Sequence, residues 1–99
     1  MPYEVEVSPE FKETLERLDR GVQIRVKKEL ERLPYRNHKQ DALCGDLAGF
    51  YSHHFWNNHY RIIYVVEDHI LKILAIWVGK RNDNFYKDLK KYLKRTGKL

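Results

Sequence analysis

From Phe50 to Val78 the chain is dominated by aromatic and β-branched residues, and only Asn57-Asn58 and Glu67-Asp68-His69 interrupt the run. Both interruptions have turn chemistry, because Asn and Asp tolerate left-handed backbone and hydrogen-bond their own main chain. The run between them has the side chains that suit a pleated, half-buried surface. Three consecutive antiparallel strands follow, and the rest of the chain must cover the sheet they make.

The N-terminal half supplies that cover. Tyr3, Val5 and Val7 alternate with Glu4 and Glu6, the period of two of a short strand. Ser8-Pro9 then offers a capping hydroxyl and a proline suited to a first helical position. Phe11, Leu15 and Leu18 continue at helical spacing, which predicts a helix from about residue 9 to 20. Gly21 is read as its break. Val22, Val26, Leu30 and Leu33 recur every three or four residues until Pro34 stops a second helix. Residues 35–49 are polar, with Gly45 and Gly49 flanking Asp46-Leu47-Ala48, and read as a loop. Phe85, Tyr86, Leu89, Tyr92 and Leu93 return to helical spacing and predict a basic C-terminal helix. The expected class is α+β, in the order β-α-α-β-β-β-α: two N-terminal helices packed on a mostly antiparallel four-stranded sheet, closed by the basic helix. Ninety-nine residues can build one hydrophobic core, so residues 1–99 are expected to form a single domain.

Composition excludes several classes of function. A 42% hydrophobic and 13% aromatic content fills a core, so the 33% charged content describes a wet surface and not disorder. The longest apolar stretches, Ile62 to Val66 and Ile73 to Val78, are far shorter than the roughly 20 residues that cross a bilayer. Met1-Pro2-Tyr3-Glu4-Val5-Glu6 lacks the basic start and apolar run of a secretory leader, so export is not expected. The single cysteine, Cys44, closes no intrachain disulfide and cannot make a multi-cysteine zinc site. A cytoplasmic setting fits.

The formal net charge is +5, and the excess is entirely C-terminal: residues 80–99 carry eight Lys or Arg against Asp83 and Asp88. A basic segment of that density attracts polyanions by releasing their counterions, and nucleic acid is the commonest of them inside cells.

The candidate chemistry lies at the hairpin. If Asn57-Asn58 forms a two-residue loop, Phe55 faces Tyr60 and His54 faces Arg61. Strand alternation then places Ser52, His54, Arg61 and Ile63 on one face, with His53, Phe55, Tyr60, Ile62 and Tyr64 on the other. Arg61 stands in a strand otherwise free of charge and calls for an anionic partner. Asp46 and Glu67 are possible internal partners, and a bound phosphate is the other. The last strand runs into Gly79-Lys80-Arg81, where cations emerge beside a glycine that permits close approach. Tyr86 follows at the start of the basic helix. A metal site at His53, His54 and His59 is disfavoured, since His53 points the other way, Arg61 would repel a cation and no nearby carboxylate completes the set. No cofactor-binding motif is present, no glycine-rich phosphate loop opens a helix, and no Ser/His/Asp order stands out. The remaining set of His54, Arg61, Lys80, Arg81 and Tyr86 is cationic and suits a phosphodiester.

Gly49-Phe50-Tyr51, Tyr60-Arg61-Ile62-Ile63-Tyr64 and Ile76-Trp77-Val78-Gly79-Lys80-Arg81 followed by Tyr86 resemble the RelE/ParE superfamily of toxins from toxin–antitoxin systems. The resemblance spans nearly the whole chain and includes the predicted order of elements. Its RelE branch implies metal-independent endoribonuclease cleavage of mRNA on the ribosome, inhibition of translation, and a cognate acidic antitoxin that wraps the toxin. Carried over by position, Arg61 is a catalytic-site arginine on the scissile phosphate, Arg81 stabilises transition-state charge and Tyr86 assists. The archetype has lysines where Ser52 and His54 stand, and its tyrosine lies one residue further from the arginine. His54 is the residue here able to hold or release a proton near neutrality. Lys80, Lys87, Lys90, Lys91 and Ser52 are expected to bind substrate. The alternatives are a gyrase poison of the ParE branch and a noncatalytic RNA-binding module.

Overall fold

A computed structural model describes residues 3–99. Its elements are β1 (Glu4–Val7), α1 (Pro9–Glu16), α2 (Arg20–Arg32), α3 (His38–Asp41), β2 (Tyr51–Phe55), β3 (Tyr60–Glu67), β4 (Lys72–Lys80) and α4 (Phe85–Arg95). Short 3-10 turns lie at Leu33–Tyr35, Gly45–Leu47 and Asp68–Ile70. The expected α+β order is present, within a four-stranded mixed sheet ordered β1-β4-β3-β2. β2, β3 and β4 are antiparallel in sequence, whereas β1 pairs parallel to β4.

The predicted hairpin register is the observed one. His54 pairs with Arg61 and Phe55 with Tyr60. His59 donates its backbone N–H to the Trp56 carbonyl at 3.1 Å, and Asn57 and Asn58 both take left-handed φ, 57° and 66°. That is the turn geometry whose twist matches the flanking strands. Trp56 is also left-handed, at φ 55°, so the strand ends at Phe55.

The helix boundary differs from the sequence expectation. α1 stops at Glu16 and α2 begins at Arg20, so Gly21 lies inside α2 and the break falls at residues 17–19. The loop expected over 35–49 also contains α3, started by the Asn37 side chain accepting from the Lys39 N–H at 3.2 Å.

Two cores sandwich the sheet. On one side Phe11, Val22, Val26 and Leu33 from the N-terminal helices meet Phe55, Ile62, Tyr64, Ile73, Ala75 and Val78. On the other, Leu47 and α4 residues Phe85, Leu89, Tyr92 and Leu93 meet Ile63 and Ile76. A register shift at Ile63/Tyr64 pairs Ile63 with Trp77 and Tyr64 with Ala75, leaving Ile76 as the extra residue of a bulge. β1 covers the edge of β4 only as far as Ala75. Beyond it, α1 hydroxyls satisfy the exposed edge: Thr14 Oγ1 accepts from the Val78 N–H at 3.2 Å, while Ser8 Oγ donates to the Ile76 carbonyl at 3.4 Å and also caps α1.

Beneath β2, a buried Glu29 reaches from α2 to His53 at 2.7 Å and is flanked by Arg25 at 2.8 Å and Arg32 at 3.2 Å. Burial pushes the His53 imidazole below its ordinary pKa, so the neutral ring donates Nε2–H to Glu29. Burial works against the Glu29 carboxylate, yet His53 and the two arginines hold its pKa below the ordinary value. Among the described residues no helix is long and apolar enough to cross a membrane.

Candidate functional site

Arg61 is brought to the site by a register in which β3 faces β2 and β4 at once. It pairs with His54 on one side and Gly79 on the other, and residues paired across a ladder share a face. That face is the one covered by α4. Gly79 suits the covering, since a Cβ there would lie 3.1 Å from Phe85 Cε2 and the ring would have to give way. Phe85 is the first residue of α4, and the next residue, Tyr86, lies over Arg61.

The contact between them is specific. Arg61 Nη1 donates to Tyr86 Oη at 2.6 Å, and the guanidinium carbon stands 5.2 Å from the ring centroid. Arg61 Nε is buried and has no hydrogen-bond partner. Among the described residues Arg61 forms no ion pair with a carboxylate: Asp46 pairs instead with Lys90 at 3.7 Å, and Glu67 opposes Lys72. The internal-partner alternative left open by the sequence is therefore not what the structure shows. A half-buried cation without a counter-charge is a site for an anion.

His54 and Ser52 line a cavity of about 420 Å³ beside this pair, together with Arg36, Gln40, Asp41, Ala42, Leu43 and Tyr86. Desolvation lowers the pKa of His54, and the facing Arg61 charge lowers it further, so the imidazole is neutral at pH 7 and able to accept a proton. Ser52 is 3% exposed and its Oγ has no partner. Across the cavity, Arg36 holds Asp41 through two hydrogen bonds, at 2.7 and 2.6 Å. Burial would raise the Asp41 carboxyl, but the bonds from Arg36 and Tyr64 keep its pKa below the ordinary value. Its negative charge is therefore spent inside the protein.

The other expected residues are distributed as follows. The Arg81 backbone N–H extends the ladder by donating to the His59 carbonyl at 2.6 Å. Arg81 lies one residue beyond β4, and its exposed side chain makes no hydrogen bond or ion pair among the described residues. It does not line the cavity beside Arg61. Lys80 pairs with Tyr60 and belongs to the opposite face, where it lines a separate cavity of about 450 Å³ with Asp19, Trp56, His59 and Tyr60. The sequence grouped Lys80 with Arg61, and strand alternation separates them. On α4, Lys90 follows Tyr86 by one turn and lies on its side of the helix, while Lys87 and Lys91 are exposed. His53 is buried on the far face, His54 is exposed, and His59 is in the turn. Among the described residues no group of three His, Cys, Asp or Glu side chains is placed to hold a metal ion.

Arg36, Gln40 and Asp41 were not marked by any spacing in the sequence. The only available signal was a polar segment that ends with an arginine and an aspartate just ahead of β2.

A family model described as ParE toxin of type II toxin-antitoxin system, parDE, matches residues 5–83. The match stops before Tyr86 and α4. No curated protein sequence matches the chain. Among solved structures, the chain is similar to the RelBE2 toxin–antitoxin complex from Mycobacterium tuberculosis, with TM-score 0.70 and 25% identity over 84% of this chain and 95% of that one. It is similar also to the intact RelBE complex of E. coli, with TM-score 0.65 and 25% identity over 81% and 98%. A mutant of the E. coli toxin RelE in the free state shares the fold, with TM-score 0.73 and 22% identity over 94% and 99%.

Proposed function

The chain belongs to the ParE toxin family of type II toxin–antitoxin systems, within the RelE/ParE superfamily, and from that membership and the site's chemistry we propose that it is a ribosome-dependent endoribonuclease. Its action is metal-independent cleavage of mRNA in the cytoplasm, which stops translation. Residues 1–99 act as one toxin domain, held inactive by a cognate acidic antitoxin, as RelE is paired with RelB in the similar complexes. The observation that carries the reading is Arg61, a sheet-borne guanidinium bonded to a tyrosine hydroxyl and not to a carboxylate.

Cleavage of RNA by its own 2′-hydroxyl needs a proton acceptor, a cationic cradle for the charged phosphorane and a route for protonating the departing 5′-oxygen. His54, neutral at pH 7, takes the 2′-hydroxyl proton. Arg61 neutralises the phosphate, and its uncompensated charge is worth most in a site that the substrate seals from water. Arg81, exposed just past the end of β4 and free of internal bonds, would close the cradle by swinging in from the strand end. Tyr86 accepts from Arg61, which fixes the guanidinium, and its own O–H remains to donate to a phosphate or leaving oxygen. Lys87, Lys90 and Lys91 draw the polyanion to α4.

The name of the matching family favours a second reading, in which the chain poisons DNA gyrase. The two separate in one pair of assays: end mapping of a translated message, and supercoiling of plasmid DNA by gyrase, each with the purified chain. New mRNA ends with unimpaired supercoiling support the ribonuclease; impaired supercoiling with intact message supports the gyrase poison. Salt-sensitive RNA binding without either effect leaves only the noncatalytic module.

A further inference from the structure

Arg36 takes no part in the chemistry above, yet it forms a wall of the same cavity as His54, Ser52 and Tyr86. Its guanidinium is held firmly. Nε and Nη2 donate to the two oxygens of Asp41, and Asp41 also accepts from the buried Tyr64 hydroxyl at 2.5 Å. A guanidinium presents two hydrogen-bonding edges, and this clamp uses one of them. Nη1 makes no hydrogen bond among the described residues, and the Arg36 side chain keeps 31% of its surface where that of Asp41 keeps 4%.

A tie between loop and sheet accounts for the engaged edge and leaves the other unexplained. The same cavity wall carries a second unmet polar group, the Oγ of Ser52. The cavity thus combines a pre-set arginine edge, an unpartnered hydroxyl, a neutral imidazole and a carboxylate already consumed. That combination fits an anion carried on a sugar better than a carboxylate-free apolar ligand or a cation. Arg36 also lines a neighbouring cavity of about 640 Å³, so it borders both cavities.

We infer that Arg36 is a second phosphate-binding residue, which takes the phosphate next to the scissile one in a single-stranded RNA laid across Arg61. The inference rests on the ribonuclease reading for its substrate and extends it to a residue that positions the strand without touching the reacting atoms. Asp41 and Tyr64 hold that arginine in place before substrate arrives, which lowers the ordering cost of binding.

The test is binding of the full chain to a short single-stranded RNA, 2′-O-methylated throughout so that it cannot be cleaved, over a series of salt concentrations. Arg36→Gln is expected to weaken binding about tenfold and to reduce the slope of log K against log salt by about 0.7, the contribution of one phosphate contact on a single strand. Arg36→Lys keeps a cation for Asp41 and serves if Arg36→Gln fails to fold; an ammonium satisfies one partner at a time, so several-fold weaker binding is expected. An unchanged slope in folded Arg36→Gln, unchanged affinity in Arg36→Lys, or a native chain that does not bind the strand overturns the assignment. Cleavage lost in Arg61→Ala with normal binding by Arg36→Gln removes Arg36 alone. A native chain that binds with the expected slope change on Arg36→Gln but cuts no message keeps Arg36 and removes the ribonuclease.

Discussion

His54 and Arg61 face each other across a ladder, and each alters what the other can do. The arginine's charge adds to burial in lowering the pKa of His54, which makes the imidazole a proton acceptor at neutral pH and a poor donor. The cleavage rate should therefore rise with pH through an apparent pKa below 6.5 and flatten by pH 7; a single-turnover profile that is flat from pH 5 to 7 removes His54 from proton transfer. Tyr86→Phe keeps the ring under Arg61 and deletes the hydroxyl, and its cleavage rate should fall on the order of 100-fold, with the melting temperature nearly unchanged. Equal activity would leave the 2.6 Å contact without catalytic meaning. The His54–Arg61 pairing was legible in the sequence because Asn57-Asn58 determines the register of a two-residue hairpin, and register determines faces. Arg36 and Asp41 were not legible, because they meet through the fold of an irregular segment that has no period.

At the scale of elements, Leu89, Tyr92 and Leu93 hold α4 on the sheet, and one close contact sets how near its first turn approaches. Phe85 packs where Gly79 has no side chain, and a methyl there would lie 3.1 Å from the ring. Gly79→Ala should cost about 1–3 kcal/mol by overpacking and should shift Tyr86 off Arg61, so activity falls by more than stability alone explains. Chemical denaturation paired with cleavage rates checks it; an unaltered melting point with full activity refutes the tight fit. The strand run from Phe50 and the stripe of α4 were both readable from periodicity. The boundary between α1 and α2 was not, since Gly21 was taken as the break while the chain turns at residues 17–19 and admits Gly21 as an early residue of α2. A glycine marks freedom and not a fixed stop. The covering of the β4 edge by Ser8 and Thr14 was equally invisible, because a hydroxyl that caps a helix looks no different in sequence from one that also serves a strand.

The whole molecule joins an acid-sensitive interior to a basic exterior. His53, Glu29 and Asp41 all have folded pKa values below their ordinary ones. In each case the unfolded chain binds the proton first as pH falls. Stability should be full above about pH 6.5, decline as His53 protonates in the unfolded state, and decline further below about pH 4 as the carboxylates follow. Melting temperatures from pH 3 to 8 check this, and a maximum at acid pH would contradict it. Outside, the cationic excess of residues 80–99 is displayed on and around α4, opposite the face that α1 and α2 cover. The family relationship supplies an antitoxin as partner, and a surface of this charge attracts acidic or polyanionic chains in general.

The most direct measurement compares the native chain with Arg61→Ala on a message held in translating ribosomes, mapping the RNA ends over time. New ends are expected with the native chain, and with Arg61→Ala a rate at least about 100-fold slower from a folded protein. Cleavage at equal rates by both, or an intact message with the native chain, would contradict the claim that an unpaired arginine in the sheet holds the phosphate that is cut.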